Sequence, residues 1–133
     1  MLPLIAGLAA LCGVVLVGVI DATDLALTRT SLQSSADGAA LVGAESFDPA
    51  EATFDGTHLR VHLTDRGVRR AARGYLRDSV APGRIASAGT SDGRTAEVTL
   101  RLRWNPPIVS EFLPLRLTIT ATARARSVFT APN

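Results

Sequence analysis

Residues that carry chemistry are scarce in this sequence of 133 residues. It contains one cysteine, no lysine, and only four phenylalanines, one tyrosine and one tryptophan. A single cysteine excludes an intramolecular disulfide bond. No zinc-protease, serine-hydrolase or phosphate-binding glycine motif occurs. We therefore expect no catalytic residue, no cofactor and no small-molecule substrate.

Metal and nucleic-acid sites are also poorly supported. His58 and His62 are the two histidines, and no third ligand accompanies them, so we expect no metal. The C-terminal part is rich in arginine, but Tyr75 and Trp104 fit core positions and do not alternate with the basic residues. A nucleic-acid partner is therefore not expected.

Charge is missing from the start of the chain, between Leu2 and Ile20. A helix of that length spans about 28 Å at 1.5 Å per residue, close to the thickness of a bilayer core. The alternative is a secretory signal, for which Ile20-Asp21-Ala22 offers a weak cleavage site and no basic n-region is present. We expect a retained transmembrane helix over residues 1–21.

Small residues recur four apart along this apolar run. Such pairs let helices approach closely in lipid, and ordinary alanine and glycine content produces them as well. The helix-packing candidates are Ala6, Ala9, Ala10, Gly13, Gly18 and Ala22.

Helical spacing continues after the span, over residues 22–47, through Leu32, Ala36 and Ala40. This apolar face is narrow and Gly38 weakens it, so the predicted stalk needs packing from the folded domain or from a neighbouring subunit. Residues 48–63 are predicted as a linker or loop, because they include Pro49 and Gly56.

Residues 64–133 are predicted to form an α+β domain. Thr64 is an N-cap for a helix over 64–80, whose arginines fit a solvated face better than an anion site. Three strand signals follow, near 85–88, 95–104 and 115–126, and the last two alternate strictly between apolar and polar residues. This pattern predicts a small antiparallel sheet covered on its apolar face by the helix.

The loop between the last two strands carries Val109, Phe112 and Leu113. These side chains can fill the core of the domain or touch the membrane surface, and we expect the core. The polar face of the sheet presents arginines as candidates for an anionic partner. They are Arg101, Arg103, Arg116, Arg124 and Arg126.

Charge is divided unevenly along the chain. Residues 1–57 hold one arginine and seven acidic residues, whereas residues 58–133 hold thirteen arginines and five acidic residues. Such asymmetry suggests an anionic partner for the second part, such as lipid or a cell-wall polymer. Charge does not settle membrane topology, since Arg29 weakly favours a cytoplasmic C-terminus under the positive-inside rule.

Two parts of the chain resemble a known family. The opening Leu2-Pro3-Leu4-Ile5-Ala6-Gly7, and the run from Leu32 to Leu41 that reads Leu-Gln-Ser-Ser-Ala-Asp-Gly-Ala-Ala-Leu, resemble TadE/TadG-like proteins of Tad (Flp) pilus loci. The similarity is greatest to short TadE-like proteins of actinobacterial secretion loci. Residues 98–104, the proline pair and residues 117–126 also resemble that family.

The resemblance implies a pilin-like order of elements and an accessory role as a minor pseudopilin in a pilus or secretion machine. It also implies anchoring in the cell membrane by one span, with the C-terminal domain outside. The implied partners are other membrane subunits of that machine and the lipid bilayer. No enzyme activity or cofactor is implied.

Overall fold

The computed structural model describes residues 1–56, 58–79 and 81–127. Within them the chain forms two helices, a short hairpin and a three-stranded sheet. Val80, at the end of the predicted second helix, and residues 128–133 of the predicted domain lie outside the described residues. The elements are α1 (Leu2–Ala44), β1 (Thr53–Asp55), β2 (His58–Arg60), α2 (Asp65–Asp78), β3 (Arg84–Thr90), β4 (Thr95–Trp104) and β5 (Leu117–Arg126).

Helix α1 joins the apolar run and the predicted stalk in one uninterrupted element of 43 residues. Its apolar part, of mean hydropathy 2.6, is long enough to cross a membrane. A signal sequence near an N-terminus shares that length and composition. The helix ends at Ala44, before Phe47, where the sequence places its end.

The chain divides into two compact units. The anchor unit comprises Met1–Thr30 and Arg103–Ile119, and the sheet unit comprises Ser31–Leu102 and Thr120–Asn133. The C-terminal part of α1, predicted as a stalk in need of packing, is thus in the same unit as α2 and most of the sheet.

The strand order in the sheet is β3-β4-β5, and all neighbours run antiparallel, as the alternation predicts. Helix α2 packs against β3. The core of the sheet unit is built from small and medium aliphatic side chains from both helices and all three strands. Its members are Leu32, Ala36, Ala39, Ala40, Ala44, Leu63, Val68, Ala72, Ala88, Ala96, Val98, Leu100, Ala121 and Ala123.

Close approach between α1 and α2 depends on glycine. A Cβ built on Gly43 would lie 3.0 Å from Val68 Cγ1 and 3.3 Å from Ala96 Cβ. A Cβ on Gly38 would overlap the ring of Tyr75. Gly38 and Gly43, which weaken α1 as an isolated helix, are therefore positions at which α2 contacts it.

Helix α2 begins at Asp65, directly after the predicted N-cap Thr64. The Thr64 hydroxyl accepts a hydrogen bond from the Gly67 N–H at 3.1 Å, which satisfies one of the free donors of the first turn. The Asp65 carboxylate accepts from the Thr90 N–H at 2.7 Å and links the helix start to the end of β3.

The segment predicted as a linker or loop contains secondary structure. A 3-10 turn over Pro49–Glu51 precedes the two-stranded hairpin β1-β2, in which Thr53 pairs with Arg60. Gly56 has a φ of 66° at the hairpin turn, a conformation that glycine adopts without steric cost.

The turn between β3 and β4 is organised by one carboxylate. Asp92 Oδ1 accepts from the N–H groups of Arg94 and Thr95, at 2.8 and 2.6 Å. These backbone hydrogen bonds, with one from the Thr95 hydroxyl, lower the pKa of Asp92 to about 2. Gly93 takes a φ of 72°, in agreement with the Asp-Gly turn that the sequence predicts.

Candidate functional site

The small residues of α1 are available for contact with another helix. Every residue from Leu2 to Leu16 is exposed. A Cβ added at Gly13 or Gly18 would meet no atom within 4 Å. The helix-packing candidates Ala6, Ala9, Ala10, Gly13, Gly18 and Ala22 are all exposed, so none serves packing within the described chain.

The six candidates do not share one face of the helix. At about 100° per residue, Ala6, Ala9, Ala10 and Gly13 fall within an arc of about 100°. The Gly18/Ala22 pair falls on roughly the opposite side. The regular geometry of α1 therefore defines one small-residue face in the first half of the apolar run.

Asp21 lies at the end of the apolar run and is only 7% exposed. Its two carboxylate oxygens accept hydrogen bonds from the backbone N–H groups of Ile108 and Val109, at 3.2 and 3.3 Å. Burial of a carboxylate is costly unless donors surround it, and these two amides supply them. Asp21 thus fixes the loop that connects β4 to β5.

A second carboxylate acts three residues further along the same face. Asp24 Oδ2 accepts from Trp104 Nε1 at 2.6 Å, and Trp104 is 7% exposed. The sequence pattern identifies Trp104 as a core residue but does not reveal these partners. The sequence does contain one indication of this site: two acidic residues three positions apart, directly after an apolar run, lie on one face of a helix.

The loop between β4 and β5 corrects one expectation. Phe112 is 80% exposed and Leu113 is 56% exposed, so the prediction that they enter the core is wrong. Val109 is half-buried. The 3-10 turn Val109–Glu111 and the bonds to Asp21 direct the loop so that Phe112 and Leu113 face outward.

The arginines proposed for anion binding are all exposed. Arg116 lies just before β5, and the other four are in β4 or β5. In the sheet unit, Arg124 Nε donates to Glu97 Oε2 at 2.6 Å, and the hydroxyls of Thr99 and Thr122 are 3.0 Å apart. These two cross-strand pairs separate Arg101 from Arg126. Arg101, Arg124 and Arg126 therefore form no continuous cluster, and Arg124 is partly neutralised.

The register of the sheet adds an arginine that the sequence pattern did not single out. Arg84 on β3 lies opposite Arg101 on β4. Arg84 also lines a cleft of about 490 Å³ with Arg69 and Arg73 of α2. The cleft concentrates positive charge at the outer edge of the sheet unit.

His62 packs against the turn between β3 and β4. Its ring lies against Gly93, where an added Cβ would come within 2.7 Å of Nδ1. Across residues 1–56, 58–79 and 81–127, no group of three or more His, Cys, Asp or Glu side chains is placed to hold a metal.

Comparison with known proteins found a family model that matches the N-terminal part of the chain. Residues 1–46 match the family model described as "Putative Flp pilus-assembly TadE/G-like". The match ends within two residues of the end of α1 and includes the run from Leu32 to Leu41. The resemblance of residues 98–126 lies outside the match and stays a prediction. Neither the search of curated proteins nor the search of solved structures found a match.

Proposed function

We propose that this chain, TadE/G-like over residues 1–46, is a single-pass membrane subunit of a Flp/Tad-type pilus or a related secretion machine. Its role is structural, as a minor pseudopilin-like component without catalytic activity. The C-terminal domain lies outside the cell membrane. Its partners are other membrane subunits of the same machine, reached through α1, and the surrounding lipid.

Retention of the apolar helix is supported by Asp21. Cleavage beside Ala22 would remove the carboxylate that holds the amides of Ile108 and Val109. A signal peptide is removed from the mature protein, so its side chains are not expected to be buried in the mature fold. The folded anchor unit therefore favours a membrane-spanning helix over a cleaved signal, and this is the observation that carries the proposal.

Assembly through the helix is supported by the free small-residue face. In lipid there is no hydrophobic force between helices, so association depends on close packing at small residues. Ala6, Ala9, Ala10 and Gly13 form such a face, and no described residue covers it. A second helix can approach there without displacing any part of this chain.

Co-purification with pilus subunits from native membranes tests this assignment. The double variant Ala9→Leu/Gly13→Leu keeps an apolar helix. Ala9 is exposed, and a Cβ added at Gly13 would meet no atom of the described residues within 4 Å. We expect several-fold less recovery of partner subunits, because two leucines hold the partner helix away. Val15→Leu/Val19→Leu, at exposed positions outside this face, is the matched control and is expected to leave recovery unchanged. Equal recovery with both variants would contradict helix-mediated assembly.

Localisation is tested separately by intact mass and protease digestion of cells. We expect a chain that retains its apolar helix and a domain that protease removes only when added outside. A soluble chain beginning near Thr23 would show that the helix is a signal sequence. A domain protected from external protease would reverse the proposed orientation.

The basic cleft favours a second candidate function, in which a membrane-tethered domain binds an anionic lipid headgroup or cell-wall polymer. Arg69, Arg73 and Arg84 line the cleft, and Arg84 lies beside Arg101. Binding of a soluble anionic polymer should then weaken as salt screens these charges. Replacement of Arg69, Arg73 and Arg84 by glutamine should reduce that affinity several-fold. Unchanged affinity of this triple variant would eliminate the candidate.

A further inference from the structure

An exposed apolar surface is formed by the loop between β4 and β5. Within six residues, Phe112, Leu113, Leu115 and Leu117 are 80%, 56%, 49% and 50% exposed. Single exposed leucines are ordinary, but a cluster of large apolar side chains in a short loop marks a surface with a partner. Residues 106–117 are called the apolar loop below.

Every backbone N–H of the apolar loop between residues 106 and 115 donates a hydrogen bond. The N–H groups of residues 108–113 and 115 all donate hydrogen bonds, to Asp21 or to carbonyl groups inside the loop. The other three positions between 106 and 115 are prolines, which have no N–H. A free N–H costs several kcal/mol in hydrocarbon, so irregular backbone normally avoids lipid. These hydrogen bonds remove that cost for the N–H groups between residues 106 and 115.

The position of the loop along α1 is set by the same hydrogen bonds. Asp21 follows directly after the uncharged run Leu2–Ile20 and holds the amides of Ile108 and Val109. Val17, one turn earlier on that face, is half-buried, whereas the other residues of the run are exposed. The apolar loop therefore lies beside the last turn of the apolar run, at the level where a spanning helix leaves the hydrocarbon.

We propose that the apolar loop seats in the surface of the bilayer that α1 crosses, with Phe112 and Leu113 among the lipid chains. The occupant of this surface is lipid, because the loop continues the apolar surface of the spanning helix. Arg103 and Arg116 are exposed in the same unit and supply guanidinium groups for lipid phosphates. The proposal rests on the proposed function in one respect, that α1 spans the membrane.

A single fluorophore on the full-length chain in lipid nanodiscs tests the proposal. Cys12→Ala removes the single native cysteine, and Phe112→Cys then carries an environment-sensitive label. Quenching is measured with iodide in water and with lipids that carry a nitroxide near the headgroup. We expect lipid quenching several-fold stronger at Phe112 than at a matched label on Arg66→Cys, an exposed position on α2, and the reverse order for iodide. Leu113→Cys repeats the measurement if Phe112→Cys does not fold.

A label on the native Cys12 in the otherwise unchanged chain separates the possible failures. The loop proposal would be overturned, with the membrane span intact, if the label on Cys12 is quenched by nitroxide deep in the lipid while iodide freely quenches the label at position 112. Shielding of Phe112 from both quenchers would show a protein partner instead of lipid, which also overturns it. Quenching of the label on Cys12 by iodide would show that α1 does not span the membrane, and the proposed function would fail with it.

Discussion

The Asp92 carboxylate stabilises a turn at the level of a single residue. Its lowered pKa, about 2 compared with 3.8, arises chiefly from hydrogen bonds from the N–H groups of Arg94 and Thr95, which favour the charged form. Because the folded-state pKa is below the unfolded value, the stabilisation is fully present above pH 3.8 and is lost as pH falls towards 2.

We therefore expect the carboxyl carbon of Asp92 to titrate near pH 2 in an NMR experiment. Amide exchange at Arg94 and Thr95 should accelerate in the same acidic range. Asp92→Asn keeps the shape of the side chain and should remove this pH dependence. A titration near the ordinary value would show that the turn does not form as described.

Gly38 illustrates a residue whose cost in a helix is offset by a distant contact. Alanine at an exposed interior helix position is favoured over glycine by about 1 kcal/mol. At position 38 the added Cβ would overlap the ring of Tyr75, so the ring must leave its place between the two helices.

We expect Gly38→Ala to lower the free energy of unfolding by about 1–3 kcal/mol, as overpacking does. Denaturant unfolding in detergent, followed by Trp104 fluorescence, measures it. In a Tyr75→Ala background the sign should reverse, and Gly74→Ala on α2, where a Cβ meets no atom within 4 Å, should stabilise. A stabilising Gly38→Ala in the unchanged background would refute the contact.

The first turn of α2 connects local capping to the packing of a whole element. Thr64 caps the helix and its neighbour Asp65 holds the Thr90 amide, so the start of α2 and the end of β3 are bound together. The helix then lays Val68 and Ala72 into the core and leaves its arginines in solvent.

Thr64→Ala should cost about 1 kcal/mol of unfolding free energy, the usual cost of a lost N-cap. Thr64→Ser retains the acceptor oxygen and should restore most of it. Denaturant unfolding of the three chains compares them directly. If the serine variant were as unstable as the alanine variant, the lost methyl group and not the cap would be responsible.

Helix α1 combines two environments in one element. Its residues to Leu16 are exposed and apolar, which suits lipid, whereas Leu32, Ala36, Ala39 and Ala40 are fully buried in the sheet unit. The change between the two is marked by Asp21 and Asp24, whose carboxylates bind groups of residues 104–109. One helix therefore serves both the proposed anchor and the folded core.

At the scale of the whole molecule, the anchor unit includes a carboxylate, that of Asp21, which cleavage near Ala22 would remove. A chain that begins at Val19 retains Asp21, and one that begins at Thr23 does not. We expect amide exchange at Ile108 and Val109 to be about 10- to 100-fold faster in the shorter chain, since hydrogen bonds to charged groups are worth about 1.5–3 kcal/mol.

Asp21→Asn in the full-length chain provides the comparison, because it keeps one acceptor oxygen and should have an intermediate effect. Equal exchange in the two truncated chains would mean that Asp21 is dispensable. In that case the structural argument against cleavage near Ala22 would fail.

Local patterns in the sequence determine much of this protein. The uncharged run predicts a helix able to span a membrane, Thr64 marks the start of α2, and the alternation from Thr95 to Trp104 predicts β4 residue by residue. These features follow from neighbours along the chain, through hydrophobic periodicity and capping. The family match over residues 1–46 rests on the same N-terminal pattern.

Only the tertiary structure decides what happens where distant segments meet. The ring of Tyr75 occupies the space beside Gly38, and the strand register places Arg84 opposite Arg101. The exposure of Phe112 follows from the hydrogen bonds that the loop makes to Asp21. The apolar loop lacks periodicity, so composition alone placed Phe112 and Leu113 in the core. Burial depends on which surfaces the fold brings together, and at this loop the fold buries the carboxylate of Asp21 while Phe112 and Leu113 remain exposed.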